Sequence, residues 1–137
     1  MKFIILVKAT RDSEAGKIPP ESLLAEMGGF HEEMAKAGIL VDGNGLKPTA
    51  TAWRIKYGKD RKRTVVDGPF TETKELVAGY TIINVKSREE ALAWTKRFPN
   101  PSLDAGEAEI EVRQYFELED FGKSAAVERM KDTWKKD

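Results

Sequence analysis

The chain contains one histidine, His31, and acid–base chemistry would start there, because imidazole is the side chain whose unperturbed pKa lies closest to neutrality. It falls in the segment "PPESLLAEMGGFHEEMAKAG" (19–38), roughly 70° around a helical wheel from the centre of the apolar stripe and beside Leu24. Such a flank position faces either a cleft between helix and sheet or the solvent edge, and the following Glu32-Glu33 turns outward. The second candidate base is Asp67, in the stretch "TVVDGPFTETKELVAGYTI" (64–82). Asp-Gly-Pro is turn chemistry: the carboxylate accepts backbone N–H bonds, Gly68 supplies positive φ where needed and Pro69 fixes its own φ. A turn alone needs neither the proline nor the large aromatic Phe70. Phe70 is therefore read as a pin that holds the loop, and with it Asp67, at the mouth of a cleft; a purely structural turn is the alternative.

Glu72, Lys74 and Glu75 follow as alternating charges. Exposed ion pairs contribute only about 0–1 kcal/mol, so stability does not require them. As a functional set, Lys74 would hold an anionic group while a carboxylate moves a proton; as a plain loop, they are solvated. Trp53, with Tyr57 and Tyr80, either stacks an aromatic ligand or belongs to a core or interface. The candidate set is thus His31 and Asp67 for catalysis, with Phe70, Glu72, Lys74 and Trp53 for binding. One histidine and scattered acids lack the spacing of a zinc or two-histidine-one-carboxylate centre, so no metal is expected.

At 137 residues the chain is long enough to bury about two-thirds of its unfolded surface in one core. The absence of cysteine excludes disulfides and thiolate chemistry. Lys plus Arg and Asp plus Glu each number 23, for zero formal net charge. Nucleic-acid binders are usually basic, so no nucleic-acid partner is expected, and the run Lys56, Lys59, Arg61, Lys62, Arg63 is read as a solvated hairpin tip. No apolar run approaches membrane-spanning length, and the N-terminus lacks a cleavage-site pattern, so a soluble cytoplasmic protein is expected.

The elements that must position these residues follow from periodicity. Residues 2–9 are a dense β-branched and aromatic run, a strand. Residues 19–38 form a helix with proline in its first turn, Leu23, Met27, Phe30, Met34 and Ala37 on one stripe, and Gly38 beyond its end. The internal Gly28-Gly29 costs roughly 1 kcal/mol per glycine, which points to close packing there. Strands are expected at 39–45, 50–58, 75–85 and 107–118, with a hairpin between 50–58 and "RTVVDG". Ser87 with Glu90 makes a capping box for a helix over 87–99, and 122–137 reads as a tail helix with Val127, Met130 and Trp134 on one stripe. The chain divides into an α+β domain over 1–118 and a tail segment over 119–137.

Two β-α-β halves flanking a hairpin predict a ferredoxin-like antiparallel sheet with its helices on one face. Strand 2–9 nevertheless carries Phe3, Ile5 and Val7 on one face and Ile4 and Leu6 on the other, and strand 75–85 is similarly apolar on both. Two helices cover one face; a second copy of the same sheet is the expected cover for the other, with the hairpin and tail helix of the same chain as the alternative.

The stretches "DGPFTETKE" and "AGYTIINV", with "MKFIILVKA", "EEMAKAGILVDGNGLKP", "SREEALAW" and "IEVRQYFELEDFG" around them, resemble the YCII-related family in its DGPF-domain branch, over residues 1 to about 122. Ala78 stands where that family often has a second glycine and Gln114 where it often has proline; neither touches the DGPF core. The resemblance implies a dimeric α+β barrel, two ferredoxin-like sheets face to face, with Phe70 at the barrel end or the dimer seam. Some YCII-like relatives are associated with a His–Asp pair, and the barrel class includes cofactor-free monooxygenases, lactone isomerases and dehalogenating lyases.

The expectation is a homodimer binding a small organic acid or aromatic compound near the DGPF loop. Its chemistry, if any, would be a cofactor-independent lyase or isomerase step with Asp67 or His31 as base. The alternative is a non-catalytic ligand-sensing or accessory module linked to sigma-factor-dependent transcription. Convergence of Asp67 and His31 in one pocket would favour the first reading, and separation the second.

Overall fold

A computed structural model describes residues 1–134. Strands β1 (Lys2–Lys8), β2 (Leu40–Gly45), β5 (Val77–Asn84) and β6 (Ile110–Gln114) form one antiparallel sheet in the order β2-β5-β1-β6. Strands β3 (Trp53–Tyr57) and β4 (Arg63–Asp67) form a separate two-stranded hairpin inserted between β2 and β5. With helices α2 (Glu21–Lys36) and α3 (Arg88–Lys96) as the two crossovers, this is the α+β, ferredoxin-like arrangement that the alternation of elements predicts.

The period-2 pattern of β1 decides the layers. Phe3 lies opposite Ile83, Ile5 opposite Thr81 and Val7 opposite Gly79, so these six share a face. Phe3, Ile5, Ile83 and Val85 meet Phe30 and Met34 from α2 and Ala91 from α3 in one buried cluster. Phe30 packs edge-to-face on Trp94 and Phe98, with ring centroids 5.9 and 5.8 Å apart. Met34 is fully buried, and cutting it to alanine would cost about 2–5 kcal/mol. On the outer face, Ile4 pairs with Ile82 and Leu6 with Tyr80, all half-buried.

Element ends follow their caps. The Ser87 hydroxyl accepts the Glu90 amide at 3.1 Å and starts α3, while the Glu90 carboxylate turns to the Lys86 amide instead of completing the box at Ser87. Gly38 takes φ of +77° just past α2, as its place beyond the stripe anticipates. A short helix, α1 (Arg11–Glu14), was not expected; a reciprocal Thr10–Ser13 capping box makes it. Residues 49–51 form a 3-10 turn rather than the start of β3, and Thr73–Glu75 another before β5. The tail helix α4 (Ala125–Trp134) follows a 3-10 turn at Leu118–Phe121; its expected last residues, 135–137, lie outside the described residues.

One expectation is corrected. Gly28-Gly29 does not mark close packing, because a Cβ on either would meet nothing within 4 Å. Gly28 instead fronts a cavity, and the missing side chain leaves that space open.

Candidate ligand-binding cavity

A cavity of about 620 Å³ lies between α2 and the helix-side face of the sheet, within the size range of small-molecule sites. Its roof is Leu24, Met27, Gly28 and His31 of α2; its floor is Gly43, Gly79 and Thr81 of β2 and β5; Ile18, Leu46, Pro48, Phe98 and Leu103 close the sides. Glycine makes the floor possible. A Cβ on Gly43 would stand 3.3 Å from the His31 ring and 3.5 Å from the Thr81 hydroxyl, and one on Gly79 would stand 3.1 Å from the Asn44 carbonyl.

His31 is the polar centre. Its Nδ1 lies 2.8 Å from the Met27 carbonyl oxygen, one turn back on α2, and its Nε2 lies 2.8 Å from the Thr81 hydroxyl. A carbonyl can only accept, so Nδ1 carries the proton; in the neutral ring Nε2 is then bare and accepts from Thr81. The ring is half-buried and meets Phe98 edge-to-face at 6.0 Å. Thr81 is only 2% exposed and is the one polar side chain on the inward positions 79, 81 and 83 of β5. Backbone and hydroxyl thus present an imidazole of defined tautomer, its basic nitrogen aimed at the sheet floor of an apolar chamber. The cations at the rim are engaged: Lys8 with Glu111 at 3.2 Å and Lys17 with Asp12 at 2.9 Å.

Of the six residues singled out from sequence, His31 is the one among the described lining residues of this cavity. Asp67 ends β4, exposed and opposite Trp53, and among the described residues nothing donates to its carboxylate. Within one chain Asp67 and His31 do not share the cavity. Trp53 is 65% exposed on the hairpin. Phe70 is half-buried beneath the Arg54 guanidinium, 3.7 Å from the ring centroid. Glu72 and Lys74 are exposed around the Thr73–Glu75 turn. The structure therefore gathers Asp67, Trp53 and Phe70 at the hairpin base and leaves His31 elsewhere.

The DGPF loop is held against Thr49 and Ala52 by its backbone. A Cβ on Gly68 would overlap the Thr49 carbonyl, so only glycine allows this approach; the Gly68 amide donates to the Ala52 carbonyl at 2.9 Å. The Phe70 amide donates to the Thr49 hydroxyl at 3.0 Å, and that hydroxyl donates to Glu14 at 2.6 Å. Glu14 also accepts the Thr49 amide at 3.0 Å. Pro48, next in the chain, is a cavity wall, so the loop buttresses the site without entering it.

Sequence reasoning missed Thr81, Gly43 and the Glu14–Thr49 link. Thr81 left one readable trace, a hydroxyl where the strand pattern calls for an apolar residue. A second polar group stands on the outer sheet face: Tyr80 donates to Asp42 at 2.9 Å and Asn44 to Asp42 at 3.2 Å. Burial, with the nearby Tyr80 and Asp42 charges, raises the Tyr115 phenol above its ordinary pKa. Among the described residues no three His, Asp or Glu side chains converge as a metal site, and no helix is long and apolar enough to cross a membrane.

The sequence family described as "YCII-related domain" matches residues 1–118. An uncharacterized protein of Rhizobium meliloti (strain 1021) is 29% identical over 90 residues, covering 66% of this chain and 72% of that protein. Among solved structures, a 5-chloro-2-hydroxyhydroquinone dehydrochlorinase from Burkholderia phenoliruptrix AC1100, in complex with 2,5-dihydroxybenzoquinone, is similar over 85% of this chain and 94% of its own, at 17% identity and a TM-score of 0.45.

Proposed function

The chain belongs to the family of YCII-related domains, and we propose that it binds a small, largely apolar organic molecule between α2 and the sheet, with His31 and Thr81 as the polar anchor. The observation that carries this is the pair of 2.8 Å bonds that orient the imidazole inside an apolar chamber of ligand size. A ligand hydroxyl reaching this pair would donate to the Thr81 oxygen, whose own proton is held by Nε2, or take the place of Thr81 as the donor to Nε2.

Proton transfer is the second reading, and the bare Nε2 favours it. A ligand O–H or activated C–H placed where the Thr81 hydroxyl now donates would give its proton to Nε2, and Nδ1–H bonded to Met27 would steady the imidazolium. Binding comes first because Asp67, the expected partner base, does not line the cavity in one chain. A second copy of the chain covers the outer sheet face in this reading, where Ile4, Leu6, Tyr80 and Ile82 stand half-buried.

A thermal-shift screen of phenols, small carboxylates and lactones against wild type, Thr81→Val and His31→Gln tests the binding. A ligand at a hundred times its Kd stabilises the fold by about 2.7 kcal/mol. One class should shift wild type strongly and the two variants weakly. Equal shifts in all three proteins would remove His31 and Thr81 from the site.

A further inference from the structure

Two adjacent glycines interrupt α2, and each weakens the helix, because a residue without a side chain loses the most backbone freedom on folding. A Cβ on Gly28 or on Gly29 would meet nothing within 4 Å, so packing explains neither. Their surroundings differ: Gly28 lines the cavity, and Gly29 is not among its described lining residues. Leu24, Gly28 and His31 follow at spacings of four and three along one face of α2. A side chain at 28 would lean toward Leu24, because helical Cα–Cβ bonds tilt toward the N-terminus. Gly28 is itself exposed, which places it at the cavity mouth rather than in its depth.

The mouth carries aliphatic side chains that water alone does not favour. Ile18, Leu24 and Leu46 line the cavity, yet they are 85%, 51% and 50% exposed. Pro19 restricts the backbone of Ile18 to extended conformations, so a stiff segment holds this side chain in place. An apolar collar continuous with an apolar chamber enlarges the surface that a ligand can bury. Gly28 leaves that collar open on the helix side. The chamber is also large for a single ring: an apolar cavity of about 150 Å³ holds one benzene, and this one measures about 620 Å³.

We propose that Gly28 sets the specificity of the cavity. It leaves space, one helical turn from His31, for a ligand whose apolar body is larger than one ring and reaches the Ile18–Leu24–Leu46 collar. The ligand class is a neutral hydroxyl compound with a fused-ring or branched apolar body, its hydroxyl on the Thr81–Nε2 pair. The hydroxyl is specified because, with the neutral ring, both the Thr81 oxygen and Nε2 are acceptors. This rests on the binding reading above and names its ligand class.

Equilibrium dialysis of 2-naphthol and of phenol against the full chain tests it, with wild type, Gly28→Leu, Gly29→Ala and Thr81→Val. Both glycine variants should keep the wild-type fold with Tm raised by about 3 °C, since leucine and alanine favour helix over glycine. Wild type should bind 2-naphthol more tightly than phenol. Gly28→Leu should weaken 2-naphthol by about tenfold or more and phenol far less, while Gly29→Ala binds both as wild type does. Unchanged 2-naphthol binding in Gly28→Leu, equal losses for the two probes, or the same loss in Gly29→Ala would overturn the role of Gly28. The binding reading would then stand on the weakening of both probes by Thr81→Val. A wild type that binds neither probe would overturn the ligand class assigned here, and one that also ignores the carboxylates and lactones of the screen would overturn the binding reading with it.

Discussion

The Thr81 hydroxyl can be removed without changing the volume of the site, which makes Thr81→Val the most informative single change. Threonine is 2% exposed there, and its hydroxyl serves the His31 Nε2 at 2.8 Å. Loss of the hydrogen bond itself costs about 0.5–1.5 kcal/mol, and leaving a half-buried acceptor unpaired brings the total to about 1–3 kcal/mol. At about 2.1 cal/mol/K per residue, the 137-residue chain has an unfolding entropy of about 290 cal/mol/K, so each kcal/mol lowers Tm by about 3.5 °C. The expected loss is therefore about 3–10 °C by calorimetry. The same protein permits a second readout, since its single histidine gives one set of imidazole nitrogen resonances. In the neutral ring wild type should show the proton on Nδ1, because Met27 offers only a carbonyl. Thr81→Val should keep that tautomer while the Nε2 resonance moves as its donor disappears. An Nε2-protonated ring in wild type, or an unmoved Nε2 resonance in the variant, would refute the reasoning.

Three further outcomes test the supports of the site. Gly68→Ala places a methyl on the Thr49 carbonyl; overpacking against fixed backbone costs about 3 kcal/mol or more, read as a Tm lower by about 10 °C, and a wild-type Tm would show that the loop yields freely. Glu14→Gln keeps only one of the two oxygens that hold Thr49; hydrogen bonds to charged groups contribute about 1.5–3 kcal/mol, so the Phe70 amide should exchange faster in a hydrogen-exchange experiment while that of Ile83 does not. Tyr115 sets an alkaline limit. Burial raises its pKa in the folded chain, so the folded state holds the phenol proton more tightly than the unfolded one. Its contribution is complete below the ordinary tyrosine value of about 10 and is lost as pH rises through the folded value. Urea unfolding across that range should weaken more steeply for wild type than for Tyr115→Phe.

The sheet was legible because strand period and helix period are local properties. Phe3, Ile5 and Val7 against Ile4 and Leu6 define two faces whatever lies around them, and Ser87 and Gly38 mark helix ends by bonds that reach only a few residues. The family resemblance, carried by the DGPF stretch and its flanks, agrees with the match over residues 1–118. Individual roles were less legible. His31 stands out by its type and its flank position on the helix, yet its partner Thr81 is 50 residues away and becomes visible only once β5 pairs with β1 and β2 and sets that hydroxyl under α2.

Asp-Gly-Pro reads locally as a turn, but what its neighbours meet is not local: Gly68 closes against the Thr49 carbonyl and Phe70 lies beneath the Arg54 guanidinium. From the sequence by itself came the strands, the caps, the two-faced sheet and the list of groups able to move a proton. The tertiary structure alone decided which of those groups meet, since the contacts join residues far apart in the chain, and their geometry depends on how α2, the hairpin and the sheet pack. A local pattern specifies which way a side chain points from its own element, but not what stands opposite.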